Sequence, residues 1–140
     1  MVDQEKIAKY LLELERYAKQ LNELKKCSRD KFLSDWKIHD LAERELHLAL
    51  EAYLTIGEII ISEKKFRKPD TYAEIPRILF ENNIIDSELK EKLIDLARFR
   101  NILVHEYAAL DHEIVYDKLQ NIPAVISDYL KTVKSYLSGA

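Results

Sequence analysis

Apolar residues recur at helical spacing through most of this chain, and this periodicity constrains the fold more than any other feature. In the C-terminal stretch the spacing alternates between four and three positions: Val115, Leu119, Ile122, Ile126, Tyr129, Val133 and Tyr136. Such spacing places these side chains along one stripe of an α-helix. The chain also has only two glycines and three prolines in 140 residues, which leaves few turns. An all-α protein is therefore predicted.

Four long helices and one additional short helix are expected. Three of the long helices have candidate caps directly before their apolar-periodic segments: Ser34 or Asp35, Asp86 or Ser87, and Asp111. The pattern Thr71-Tyr72-Ala73-Glu74 resembles a capping box and predicts the start of the short helix. Helices joined by short connections most simply form an up-and-down four-helix bundle, and the length suits one domain spanning residues 1–140.

Cysteine content and charge narrow the classes of function. Cys27 is the only cysteine, which excludes an internal disulfide, and the chain has no signal-like segment or long apolar run. A cytoplasmic protein without membrane association is expected. The net charge of −3 and pI near 5.8 give no global attraction to nucleic acid. Any RNA would have to be held by local positive charge.

The segment from Arg100 to Tyr107 carries the densest chemistry. Arg100 continues a stripe of leucines on its helix that includes Leu96 and Leu103. A guanidinium at an apolar position is costly to bury unpaired, so it must meet an anion, a partner subunit or a cleft. Asn101 and His105 are four residues apart and share a neighbouring stripe.

These residue types suit phosphodiester cleavage. The imidazole of His105 can take and give a proton near neutral pH, and Arg100 can neutralise developing negative charge. In RNA, a histidine can deprotonate the attacking 2′-hydroxyl or protonate the leaving oxygen, and an arginine can stabilise the phosphorane without a metal. Asn101 is suited to orient the imidazole or a phosphate oxygen.

Structural roles also fit these residues. Arg100 is equally suited to pair with a carboxylate on another helix, and His105 to cap the helix end. Their five-residue separation places them about 140° apart on an ideal helix, so one helix does not aim both at one atom. Either the helix ends or distorts near Val104, or two copies share a cleft. Tyr107 fits substrate contact, hydroxyl modification, or a core or interface position.

Four basic residues crowd the first connection and are candidates for contact with RNA phosphates: Lys25, Lys26, Arg29 and Lys31. A solvated charged loop explains them equally well. His39, His47 and His112 lack the spacing of metal ligands, so they are interpreted as surface or capping residues and no metal or cofactor is expected.

Arg100-Asn101, three further residues, then His105-Glu106-Tyr107 resemble the Arg-x4-His-x-Tyr signature of the HepT toxins, a branch of the HEPN superfamily. The resemblance covers most of the chain, because Leu41-Ala42-Glu43-Arg44 is similar to the family's second helix and Thr71-Tyr72 to its third. It implies a five-helix HEPN domain, a homodimer with both motifs at a central cleft, and metal-independent endoribonuclease activity. It also implies Arg100 and His105 as catalytic residues, with Asn101 in support.

The same resemblance implies a partner and a control mechanism. HepT toxins are typically paired with a nucleotidyltransferase antitoxin of the MntA type, which adds AMP to the motif tyrosine, here Tyr107. Adenylate phosphates beside Arg100 would block the cleft and compete for its charge. The first hypothesis is accordingly a toxin ribonuclease of a toxin–antitoxin system. The alternative is a non-catalytic nucleotide- or partner-binding subunit of a minimal nucleotidyltransferase.

Overall fold

The structure, a computed structural model, describes residues 4–105 and 110–139, and all of its regular elements in this part of the chain are helices. They are α1 (Gln4–Leu24), α2 (Arg29–Ser34), α3 (Trp36–Glu63), α4 (Glu74–Glu81), α5 (Ser87–His105) and α6 (His112–Leu137). The prediction of an all-α fold with four long helices is confirmed. The structure contains two short helices in its described part, one more than predicted.

The additional short helix, α2, occupies the first connection, which the sequence had suggested to be a charged loop. Its N-terminus is capped by Ser28, whose hydroxyl accepts a hydrogen bond from the Lys31 amide at 3.2 Å. Phe32 is fully buried and anchors the helix, with its ring 5.2 Å from that of Tyr116 on α6. A single apolar residue among charges gives too weak a periodic signal to predict a helix, and burial of Phe32 supplies the stabilisation instead.

The predicted caps were mostly correct. The carboxylates of Asp35, Asp86 and Asp111 accept hydrogen bonds from backbone amides in the first turns of α3, α5 and α6. The predicted capping box at the start of α4 is wrong, because the N-cap is Ala73 and makes no side-chain bond. The Glu74 carboxylate instead pairs with Arg67 at 2.6 Å, since a charge-assisted bond is stronger than a neutral cap.

Side-chain contacts fix the direction of each long helix. Glu51 and Tyr53 on α3 bond to Arg100 and Leu93 on α5, so those two helices are antiparallel. The helix α6 runs parallel to α3, because its residues 112 and 129 contact residues 43 and 53. It runs antiparallel to α1, since residues 116 and 134 contact residues 27 and 15. This is the predicted up-and-down arrangement.

One end of the bundle carries the motif and is called the motif end. It comprises α2, the first half of α3, the last two turns of α5 and the first turns of α6. Buried residues from all six helices form one core cluster below it. In the described ranges, no helix combines the length and apolar character needed to cross a membrane.

Two buried tyrosines tie the core helices together. The Tyr53 hydroxyl donates to the Leu93 carbonyl at 2.9 Å, and the Tyr129 hydroxyl donates to the Tyr53 carbonyl at 3.1 Å. Their rings meet edge to face with centroids 5.0 Å apart. Burial raises the pKa of both phenols, because a phenolate in the core would lose its hydration.

Replacing Tyr53 by phenylalanine is expected to lower the free energy of unfolding by about 1 kcal/mol, because the hydrogen bond to Leu93 is lost while the packing is kept. Urea denaturation monitored by circular dichroism measures the change. Tyr10→Phe is the matched control, since the half-buried Tyr10 hydroxyl makes no hydrogen bond within the described residues. Equal effects in both variants would contradict the assigned role of the Tyr53 hydroxyl.

Candidate active site

Arg100 lies on α5 where the sequence pattern placed it. Leu93, Leu96 and Leu103 of the same stripe are buried. The Arg100 side chain is only 13% exposed, although it is charged. An arginine held at this depth needs a fixed anionic partner.

Three groups hold the Arg100 guanidinium in place. Its Nε donates to Oε1 of Glu51 on α3 at 2.6 Å, and its Nη1 donates to Oδ1 of Asn101 at 3.3 Å. Its Cζ lies 4.5 Å from the centroid of the Tyr72 ring, a cation–π contact from the segment before α4. Of the five N–H groups of a guanidinium, these bonds use two, and the other three have no hydrogen-bond partner among the described residues.

Of the three possibilities for Arg100, namely an anion, a partner subunit or a cleft, the structure shows an anion, Glu51, which the sequence analysis did not single out. Glu51 also lies 3.3 Å from Nε2 of His47. Burial, together with the negative charge of Glu51, raises the pKa of Glu58 above its usual range. Glu51 is thus the carboxylate that neutralises Arg100 directly, and its charge also acts on Glu58.

A sequence signal for Glu51 was present. His39, Glu43, His47 and Glu51 follow one another at intervals of four on α3 and form an alternating polar row on one face. A charged row on a helix that is otherwise largely apolar indicates polar partners on a neighbouring helix. No comparable signal marked the stacking of Tyr72 on Arg100, because that contact joins separate elements.

Asn101 and His105 lie on the last two turns of α5 and are both exposed. The described part of α5 extends to His105, one residue after Val104, so it does not decide between a helix that ends there and a cleft shared by two copies. Asn101 contacts Arg100 and is positioned to orient it. Tyr107 lies outside the described residues.

The basic residues at the first connection lie at the motif end, but three of them already have acidic partners. Arg29 contacts Asp117 at 3.1 Å and Glu113 at 3.3 Å, both on α6. Lys26 and Lys31 pair with neighbouring carboxylates on their own segments. These pairs are exposed and exchange readily with other anions, so contact with RNA at these positions and at Lys25 remains a prediction.

The interpretation of His39 as a surface or capping residue is wrong. Its side chain is 12% exposed and stacks on the His112 ring, with centroids 3.8 Å apart. The buried Glu43 carboxylate lies against both rings. Residues 39 and 112 are too distant in sequence for ligand spacing to reveal this cluster.

Comparisons with known proteins show which family the chain belongs to. A family model described as HepT-like ribonuclease matches residues 7–133. The chain belongs to the HepT-like ribonuclease family. The resemblance noted from the Arg100, His105 and Tyr107 motif is thereby confirmed.

Three HepT-like relatives are informative. A "tRNA nuclease HepT" of Aphanizomenon flos-aquae is 30% identical over 122 residues, which cover 87% of this chain and 83% of the relative. An "mRNA nuclease HepT" of Shewanella oneidensis is 25% identical over 104 residues, covering 74% and 78% of the two chains. A solved structure described as tri-AMPylated Shewanella oneidensis HEPN toxin in complex with MNT antitoxin matches with a TM-score of 0.84 at 23% identity. It covers 96% of this chain and 99% of the solved one, and the similarity establishes a shared fold.

Proposed function

We propose that this HepT-like chain is the toxin of a toxin–antitoxin pair and cleaves RNA without a metal ion. The observation that carries the proposal is Arg100, fixed by Glu51 and Tyr72 at 13% exposure, with three N–H groups that have no partner among the described residues and can bind a ligand. A cation fixed in advance stabilises a transition state better than a mobile one, because no reorganisation is needed during the reaction.

The proposed chemistry needs only groups of the protein and the RNA. The ribose 2′-oxygen bonds to the adjacent phosphorus as its proton is taken up by a base, and the bond from phosphorus to the 5′-oxygen breaks. His105 serves as that base or as the acid that protonates the leaving 5′-oxygen. Arg100 stabilises the phosphorane, and Asn101 keeps the guanidinium oriented through its contact at 3.3 Å.

The proposed homodimer explains how Arg100 and His105, which point in different directions on one helix, can act on the same phosphate. Since α5 is helical through His105, Arg100 and His105 of one chain project in different directions, and two copies facing each other supply one of each to a shared cleft. Ile102 and Val104 support this arrangement, because these apolar side chains are 38% and 37% exposed at the motif end.

Ile102→Asp is expected to convert the dimer into a monomer and to reduce RNA cleavage at least tenfold, because a carboxylate would be buried unpaired at the interface. Light scattering on the wild type should give twice the chain mass of 16.5 kDa. Leu12→Asp is the matched control, since Leu12 is an exposed apolar residue on α1, which does not pack on α5. A monomeric wild type would contradict the shared-cleft model.

Regulation is proposed to occur by AMPylation of Tyr107 by a nucleotidyltransferase antitoxin of the MNT type, in keeping with the AMPylated toxin of Shewanella oneidensis. With the antitoxin and ATP, the wild type should gain the mass of an adenylate group and lose activity. Tyr107→Phe should remain unmodified and active. Tyr116→Phe is the control, because the Tyr116 hydroxyl is engaged with the Cys27 carbonyl. Modification that persists in Tyr107→Phe would exclude this site.

The function itself is tested by incubating purified protein with RNA in excess EDTA. Both transfer RNA and messenger RNA are needed as substrates, because the relatives are named for different ones. Cleavage is expected in EDTA, and an oligonucleotide with 2′-deoxyribose at the cleaved position should stay intact. Cleavage that requires added Mg²⁺ would contradict the metal-independent mechanism.

A binding subunit without catalytic activity is the second candidate. It is favoured by the acidic groups that surround the cations, since Arg100, Arg29, Lys26 and Lys31 all have carboxylate partners within the chain. If the folded, unmodified dimer cuts neither RNA class but binds a nucleotidyltransferase, this candidate replaces the first.

A further inference from the structure

A cluster of two histidines and one glutamate lies at the motif end, between α3 and the first turn of α6. Nδ1 of His112 lies 2.6 Å from Oε2 of Glu43, and Nδ1 of His39 lies 3.8 Å from the same oxygen. All three ligand atoms fall within 4.8 Å of one another. The RNA chemistry proposed above uses none of these residues.

The burial of the cluster requires an explanation. The Glu43 side chain is only 6% exposed, which makes it the one charged residue that is buried in the described chain. Nδ1 of His39 is shielded from solvent and has no hydrogen-bond partner among the described residues. Asp40 lies 3.1 Å from this nitrogen, but their contact lacks hydrogen-bond geometry. A buried nitrogen without a partner, facing a buried carboxylate, is costly unless something binds between them.

We propose that His39, Glu43 and His112 bind a divalent transition-metal ion of the zinc class. Two imidazole nitrogens and one carboxylate oxygen form a donor set that suits zinc and its neighbours better than Mg²⁺ or Ca²⁺, which prefer oxygen ligands alone. Water, or the nearby Asp40 carboxylate, completes a fourth position.

The geometry needs only small adjustments to accept such an ion. Ligands at about 2.0–2.2 Å from a tetrahedral ion lie roughly 3.3–3.6 Å from one another. The Glu43–His112 separation of 2.6 Å must therefore open, and the Glu43–His39 separation of 3.8 Å must close slightly. The His112 side chain is 39% exposed, so it has room to rotate away from the stacked His39 ring and leaves a path for the ion to enter.

The bound ion would clamp the start of α6 to α3. His112 follows Tyr107 by five residues in the sequence, and Glu43 is four residues before His47, the neighbour of Glu51. A cleft beside this cluster is lined by residues that include Glu43, His47 and Leu103 of α5. The ion is thus assigned to holding the motif end together and takes no part in the cleavage step.

The test is calorimetric titration of the tag-free protein with Zn²⁺, together with Co²⁺ titration followed by visible absorption. One ion per chain is expected, with the intense visible bands of tetrahedral Co²⁺. His39→Asn and His112→Asn should each weaken Zn²⁺ affinity by about a hundredfold. His47→Asn is the matched control and should bind as the wild type does, because His47 lies on the same face of α3 outside the cluster.

A measurement on the wild type keeps the proposal falsifiable even if a variant misfolds. Nuclear magnetic resonance of the imidazole nitrogens should show Zn²⁺-dependent shifts at His39 and His112 and none at His47 or His105. Absence of stoichiometric binding, equal loss in His47→Asn, or shifts confined to the exposed His105 would each overturn the proposal. RNA cleavage in excess EDTA is measured on the metal-free protein, so its result does not decide whether this site binds an ion, and the two proposals are tested separately.

Discussion

Arg100→Ala is expected to lower the rate of RNA cleavage by about a hundredfold to a thousandfold, the loss typical when a fixed donor to a developing anion is removed. Arg100→Lys should recover little of the rate. A lysine keeps the charge but cannot donate to Glu51 through Nε while presenting further N–H groups in a fixed plane to the phosphate. It also loses the contact of the guanidinium carbon with the Tyr72 ring. Single-turnover cleavage of a labelled RNA in EDTA measures both variants.

The fold should survive these substitutions. Glu51 is 36% exposed, so water can solvate its carboxylate when the arginine is removed. Arg98→Ala provides the matched control, because Arg98 lies on the same helix, is exposed and, among the described residues, pairs only with Asp95 one turn away. Its cleavage rate should stay within about twofold of the wild type. Comparable losses in Arg98→Ala and Arg100→Ala would mean that general positive charge, rather than this site, supports the activity.

His105→Ala is expected to lower the rate by about 10²–10⁴-fold, the range for removal of a general acid or base. His105 is exposed at the end of α5, so its loss should leave the free energy of unfolding nearly unchanged. A rate reduced without a change in stability separates a catalytic role from the helix-capping role that the sequence also allowed. The measurements are single-turnover cleavage and urea denaturation on the same preparation.

Mixing the two inactive variants tests whether the cleft is shared. In a mixed dimer of Arg100→Ala and His105→Ala chains, one cleft regains an intact arginine and an intact histidine if the two residues come from different subunits. Free exchange should then restore roughly a quarter of the wild-type rate, because half of the dimers are mixed and each has one intact cleft. No recovery, with exchange verified by mass spectrometry, would place both residues of each site in one chain.

Part of the site was predictable from local sequence. The position of Arg100 on an apolar stripe predicted that it meets an anion, a partner subunit or a cleft, and the structure supplies the anion Glu51. The helix caps at Asp35, Asp86 and Asp111 followed from short-range side-chain chemistry, which depends on neighbours within three residues. The α2 helix did not follow, because it depends on Phe32 packing near Tyr116, 84 positions later in the sequence.

The sequence by itself determined the helical class, the order of the long helices and the catalytic candidates, because helical periodicity and motif spacing are local properties of the chain. The tertiary structure alone decided which helices face one another and therefore which polar groups meet. It joined Glu51 and Tyr72 to Arg100, and it brought His112 onto His39 and Glu43. Such contacts join residues tens of positions apart, and their energies depend on burial that only the packed bundle creates.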